Sequence, residues 1–443
     1  MKRRTFVAGL AAGVIPRFPF ARPSQRDADY TLRIAPTTID LAPGIAVRTL
    51  AYNGTVPGPL LRLREGRSVT VNVINDTENP EYVHWHGLEL PAAVDGAPEE
   101  GTPPVPPHGS QSYTFTPTPR GTRWYHSHVM AGHDLHRSLY SGQFGFLVVD
   151  PAADPGRYDR ELFVAMHDWN PYISGGDDGF WTVGYTHASI NGRMLGQGDP
   201  IHVRAGERVL LRVLNASADM PHWLALPGHE FTVIALDGNP VPVPRATNQL
   251  RLDPAERVDA IVTMNRPGIW ILGEVRDHLR RAGLGVVVEY ANQGGSPVWE
   301  TPAPMHWDYF DFAAPGAMNE SAPAEPVPIL ITSQFRGHGT FEGWKLNGHA
   351  APEMDRVFLS AGHRYRLEFD NQSTEDHPVH LHRHTFELVG PQGLTGIRKD
   401  TVLVAAGQRR AVEFVANNPG PTLLHCHLQD HMDAGFMMMF DYR

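Results

Sequence analysis

The stretch HCHLQDH, His425 to His431, holds the one cysteine of a 443-residue chain between two histidines. Elsewhere the chain carries further His-x-His pairs: His84/His86, His126/His128, His380/His382 and His382/His384. With 24 histidines placed at random, about one such pair is expected. Two residues apart on a strand share a face, so each pair can present two imidazoles on one side, a metal clamp. Imidazole suits copper and zinc, whereas calcium and magnesium prefer oxygen. Strand parity then separates Cys426 from its neighbours: His425 and His427 face one way and the thiol the other. His377, three before His380 and five before His382, faces away from both if its strand is regular, and His431 lies just past the strand of Cys426. Cys426, His377 and His431 thus make a thiolate with two imidazoles, the trigonal set of a blue-copper electron-transfer site. The eight remaining ligand candidates are His84, His86, His126, His128, His380, His382, His425 and His427. Eight imidazoles exceed the needs of one metal and suit two or three.

The elements that must carry these groups read as one unit repeated three times. The copies begin at YNGTVPG (Tyr52), INGRMLG (Ile190) and LNGHAAP (Leu346). Each runs on through a period-two strand, an Asn and a segment holding His. Val69, Val71 and Val73 mark one face in the first copy, Val209, Leu211 and Val213 in the second, and Tyr365, Leu367 and Phe369 in the third. The copies end in PRGTRWYHSH, NRPGIWILGEV and NNPGPTLLHCH, each followed by an apolar closing strand. The expected fold is all-β, three consecutive β-sandwich domains, with boundaries 29–152, 153–300 and 301–443. The stretch 301 to about 326 reads as a linker. The first and third units carry four clustered histidines each, so their site can form only where those two units meet. The second has His222 without a partner and Glu274 in its closing strand, so it has the fold but not the chemistry.

Hydrophobic residues at 41% suffice for real cores, and the 43 glycines and 39 prolines suit many short strands joined by turns. The net charge of −10, with no basic block after the N-terminus, argues against nucleic acid as a partner. A lone cysteine excludes an internal disulfide. Lys2, Arg3 and Arg4 precede an apolar run from Phe6 to Ile15, too short for a membrane anchor. Residues 1–28 are expected to be an export signal resembling the twin-arginine type, giving a periplasmic or secreted protein without a membrane anchor.

Together, HWHG (His84–Gly87), WYHSH (Trp124–His128), HPVHLH (His377–His382) and HCHLQDHMDAGF (His425–Phe436) resemble the four copper motifs of the multicopper oxidases, laccases included. The resemblance runs from about Ala35 to the end. It implies three cupredoxin-like Greek-key domains and four copper ions. It also implies His377, Cys426 and His431 on the type 1 copper, and His84 and His380 on the type 2 copper. His86, His126 and His427 would serve one type 3 copper, and His128, His382 and His425 the other. Phe436 falls at the family's axial position, where phenylalanine cannot coordinate; a one-residue slip would bring Met437 there instead. Asp95, in AAVDGAPEEG, matches an acidic residue that the family uses for proton delivery, though an Asp before Gly96 also suits a plain β-turn. Met432 stands where many bacterial members carry Glu, which leaves the second half of that route without its residue. His384, His133, His136, His222 and His349 have no implied role, and Asp430 and Asp433 could simply be solvated.

The activity implied is oxidation of phenols or aromatic amines, one electron at a time at the edge of His431, coupled to reduction of dioxygen to water. A cuprous metallo-oxidase is the alternative, disfavoured by Phe436 and by the lack of a Met-rich insertion. A copper-free structural protein of the same fold would have lost its ligands, and a nitrite reductase would not need both histidines flanking Cys426. A monomer is expected.

Overall fold

The computed structural model describes residues 28–150, 158–175, 181–316, 324–336, 340–391 and 393–443. The expected export signal lies outside them but for its last position. Three two-sheet sandwiches follow one another, all with the same strand order. In the first, one sheet runs Ile45–Tyr52, Tyr30–Ala42, Val69–Asn75, Gly109–Phe115 and the other Leu61–Arg64, Phe144–Asp150, Gly121–Ser127, Val83–His84. In the second and third units the first sheet grows to six strands and the second to five. Each unit opens with a hairpin whose leading strand also pairs in parallel with a central strand, such as Tyr30 with Val71 and Glu325 with Tyr365.

The repeated Asn-Gly has a local cause. Asn53, Asn191 and Asn347 sit at φ 54°, 51° and 52°, a conformation that Asn tolerates and that a tight hairpin turn needs. The side chain of each bridges the preceding strand, accepting from one backbone N–H (Arg33, Ala165, Leu330) and donating to one carbonyl (Thr31, Phe163, Pro328). The repeated Asn at the end of the central strand does a second job. Asn75, Asn215 and Asn371 each accept from the N–H two residues on and donate to a carbonyl some 30 or more residues further along, of Val105, Leu252 and Val404.

The predicted inward faces are buried: Val69, Val71, Val73, Val209, Leu211, Val213, Tyr365, Leu367 and Phe369. The cores are not separate. One apolar cluster joins the second and third units, another joins the first and second, and Ala97 of the first packs with Leu423, Met432, Met437 and Met439 of the third. The connecting stretch has weak periodicity for the same reason. Trp307, Tyr309, Phe310 and Phe312 fill the seam between second and third units, and the Gln249 side chain donates to the Ala303 carbonyl. The first two units touch backbone to backbone at Gly121 and Gly238, where a Cβ on either would overlap the other chain segment. No helix among the described residues is long and apolar enough to cross a membrane.

Candidate copper centres

Each of the four pairs of ligand candidates straddles the end of a strand. The strands stop at His84, Ser127, Leu381 and Cys426, so His86, His128, His382 and His427 stand one or two residues beyond the ladder. The expectation of two imidazoles on one regular strand face therefore changes: one member is held by the sheet and the other by the turn. His84 lies across from His126 in one sheet, and His380 across from His425 in the other. The two units interleave, His86 stacking on His380 and His84 on His382.

Second partners set which nitrogen each ring offers. His84 Nδ1 donates to the Asp95 carbonyl (3.0 Å) and His380 Nδ1 to the Asp400 carbonyl (2.7 Å). A carbonyl only accepts, so both protons stand on Nδ1 and the two Nε2 atoms face one another at 3.3 Å. His425 Nδ1 donates to the Cys426 carbonyl and His382 Nδ1 to Asp95 Oδ2 (2.8 Å each), leaving their Nε2 atoms 3.0 Å apart. His86 is turned the other way: Nε2 donates to Asp400 Oδ1 (3.1 Å), and its Nδ1 meets His126 Nε2 at 3.4 Å. His128 and His427 are buried with no hydrogen-bond partner on either nitrogen. Burial pushes the pKa of His86, His126, His128, His380, His382, His425 and His427 well below the usual imidazole value. Bare nitrogens facing one another in a buried space need a cation between them, and the residues present fit metal ions.

The thiol site is separate. His377 Nδ1 lies 2.9 Å from His431 Nδ1, and Cys426 Sγ 3.6 Å from the latter. His377 Nε2 is held by Ser373 Oγ at 3.0 Å. Burial pushes the Cys426 thiol up, so that it loses its proton to solvent only when a metal takes its place on the sulfur, and drops His431 to about 3. Trp344 closes the site, 4.6 Å from the His377 ring and 4.5 Å from the His431 ring. The Phe436 ring is 4.6 Å from that of His377, and its backbone is tied to both His431 and Cys426. Met437 pairs with His425 across the sheet and packs with Met432, Met439 and Leu423. It therefore lies on the face away from Cys426.

Asp95 is fully buried at the end of a single helical turn, Ala92–Asp95, rather than at a solvent-facing β-turn. A Cβ on Gly96 would overlap the Val83 carbonyl, which explains the Asp-Gly pair. Two carboxylates escaped the sequence reading. Glu100 accepts from the Leu423 N–H (2.8 Å) and lies 3.6 Å from His382 Nδ1; burial and then Asp95 raise its pKa well above the carboxylate range. Its signal was the same PEEG segment that follows Asp95. Asp400 had no signal, since its partners come from all three units. Asp433 is not solvated: it accepts from the Ala131 and Gly132 N–H groups of the first unit. Asp430 faces Asp219 of the second unit. His384 is a satisfied core histidine, bonded to the His382 carbonyl and Tyr442. His133, His136 and His349 are exposed.

The thiol site has a counterpart in every unit. Cys426 lies across from Val379, two residues after His377. Glu274 likewise lies across from Leu224, two after His222, and Ser127 across from Val83, two after Glu81. The second unit fills the place with charge. His222 donates to Asp168 (2.9 Å) and Glu274 (3.1 Å), and Ser217 stands at 3.0 Å as Ser373 does to His377. Burial opposes the charge on His222, but Asp168 and Glu274 outweigh it and raise its pKa to about 9. In the first unit Glu81 holds Gln143 and Arg137.

The chain matches multicopper oxidase family models over residues 33–154, 166–285 and 320–443. It is 32% identical to the multicopper oxidase MmcO of Mycobacterium tuberculosis, over 98% of this chain and 91% of that protein. It is 27% identical to Laccase-1 of Botryotinia fuckeliana, over 93% of this chain and 81% of that one. Among solved structures it resembles a multi-copper oxidase from Pseudomonas thermotolerans, with TM-score 0.75 and 26% identity over 94% of this chain and 98% of the other. The three tandem sandwiches, the buried imidazoles and the thiol site accord with these matches: the chain belongs to the multicopper oxidase family, whose cofactor is copper.

Proposed function

We propose that the chain is a laccase-type oxidase holding four coppers. His377, Cys426 and His431 bind type 1 copper, and His84 and His380 type 2. One type 3 copper takes His86, His126 and His427, and the other His128, His382 and His425. When bound, the coppers supply the one-electron acceptor and the centre at which dioxygen is reduced to water. The residues do the rest. Cys426 links the two centres, because its chain neighbours His425 and His427 belong to the cluster, so an electron crosses few covalent bonds. Asp95 and Glu100 place carboxyl oxygens beside His382, at 2.8 and 3.6 Å from its Nδ1, where they can pass protons to the cluster. Glu100 would take the role that Met432 cannot.

The observation that carries the substrate reading is a cavity of about 190 Å³ with His431 in its wall. Phe341, Trp344, Leu428 and Met220 give it apolar surface, and Asp219, Asp430 and Glu375 give it carboxyl groups that can accept hydrogen bonds; burial pushes Asp219 well up and Asp430 to about 6. This suits a small electron-rich aromatic, above all an aromatic amine. Export to the periplasm or beyond, and a monomeric state, complete the proposal. Oxygen uptake by the copper-loaded protein tests it. Faster turnover of a dimethoxyphenol or an aromatic diamine than of chelated Cu(I) is expected. Uptake on Cu(I) alone would make it a metallo-oxidase, and uptake on none would reject both.

A further inference from the structure

The second unit supplies none of the proposed ligands, yet its Arg257 reaches the cluster's support. Arg257 is fully buried and uses all five of its donors. Nη1 and Nη2 grip the two oxygens of Asp400 end-on at 2.8 and 2.6 Å. The rest go to the carbonyls of Ala255 (3.0 Å), Asp237 (3.2 Å) and Thr122 (3.3 Å). Asp400 in turn holds two imidazoles from different units, His86 through Oδ1 and His380 through its backbone carbonyl. Arg123 of the first unit adds a bond at 3.2 Å. Asp237 of the second unit accepts from the Asp400 and Thr401 N–H groups, at 3.3 and 3.2 Å. Room for this knot comes from Gly87, the glycine of HWHG. A Cβ there would stand 2.6 Å from Asp400 Oδ2 and 2.8 Å from Arg257 Nη2.

We propose that Arg257 is a positioning residue for the three-copper cluster: its fork fixes the Asp400 carboxylate, which orients His86 and, through its own backbone, His380. The second unit is then part of the metal site, and this explains why a sandwich without ligands persists between two that have them. The inference rests on the ligand set proposed above. A planar fork is required, because a lysine offers one point charge and cannot hold both carboxylate oxygens in that plane. Loss of such an outer partner weakens metal binding by roughly 10–100-fold.

The test compares Arg257→Gln and Arg257→Lys with Arg212→Gln. Arg212 is a buried arginine at the same seam, bonded to Thr122 and Asp259 but not to Asp400. Copper is titrated out with a chelator, and the ratio of cluster copper to blue copper is read in the same sample. Only folded chains carry the blue site, so the ratio is insensitive to loss of yield. The type 2 electron paramagnetic resonance spectrum is recorded alongside. Both Arg257 variants should release cluster copper at roughly 10–100-fold lower chelator while the blue copper stays, with an altered type 2 spectrum. Arg212→Gln should change neither. If Arg257→Gln does not fold, Arg257→Lys decides alone. Cluster copper held as tightly as in the parent, or an equal loss in Arg212→Gln, overturns the proposal. A parent chain that binds no copper fails the oxidase reading instead.

Discussion

His86 of the first unit and His380 of the third lie face to face, ring centroids 3.8 Å apart and 16° from parallel. His84 and His382 repeat the contact at 4.0 Å and 22°. The first histidine of each motif thus stacks on the second of the other. The imidazoles of the two units interdigitate, so neither unit holds half a site that could work alone. This relationship makes the site depend on docking of whole domains, and several consequences can be measured.

Phe436, which the resemblance assigns to the axial place, packs on His377, and Met437 points to the opposite side of its strand. Phe436→Met should lower the midpoint potential of the blue copper by restoring a thioether that favours the oxidised ion. Redox titration reads it. Met437→Leu should leave the potential where it was, and a shift in that variant with none at Phe436→Met would reverse the assignment.

Glu100 sits beside Asp95 and His382 in a water-poor space. Glu100→Gln should slow reoxidation of the reduced protein by dioxygen by about 10²-fold, while reduction of the blue site by substrate keeps its rate. Stopped-flow traces of the two half-reactions separate these. Equal slowing of both would mean that the substitution disturbs the blue site and not proton supply.

In the second unit, the Asp168–His222–Glu274 cluster makes stability depend on pH at both ends. His222 titrates at about 9 in the folded chain against 6.5 when free. Its contribution is complete below about 6.5 and fades as pH rises through 9. Glu274, despite burial, is drawn down to about 2 by His222 and Arg276. Its contribution is present above about 4.5 and fades as pH falls toward 2. Glu274→Gln leaves His222 charged with one partner fewer and should cost about 3–5 kcal/mol. Thermal melts from pH 2 to 10 should show the parent losing stability at both ends and the variant losing less at the acid end.

Legibility divides along a physical line. Period-two patterns exposed the inward faces and the His-x-His pairs, because neighbouring residues on one strand report on each other. That each strand ends inside its pair was not legible, since ladder bonds depend on the partner strand. Asp400 and Arg257 are 143 positions apart and meet only through domain docking, so neither stretch carries a local sign of the other. His222 looked like an unassigned histidine. Its place as the counterpart of His377 emerges only from the register of Leu224 against Glu274.

In the pocket wall, Asp219 accepts from Tyr185 and faces Asp430. Asp219→Asn should raise KM for an aromatic amine several-fold, as expected for loss of one carboxyl hydrogen-bond acceptor worth about 1 kcal/mol, with a smaller effect on a phenol. Steady-state kinetics on a matched amine and phenol check this. An equal effect on both would argue against recognition of the amine by this carboxyl.

The central claim is that Cys426 joins two copper centres, one of which it ligates and one of which it does not. Copper content and absorption of Cys426→Ser, measured beside the parent, test it most directly. The account predicts loss of the blue band and of one copper per chain, with the cluster's copper retained and substrate oxidation abolished. A blue band that survives, or loss of the cluster's copper together with the first, would contradict it.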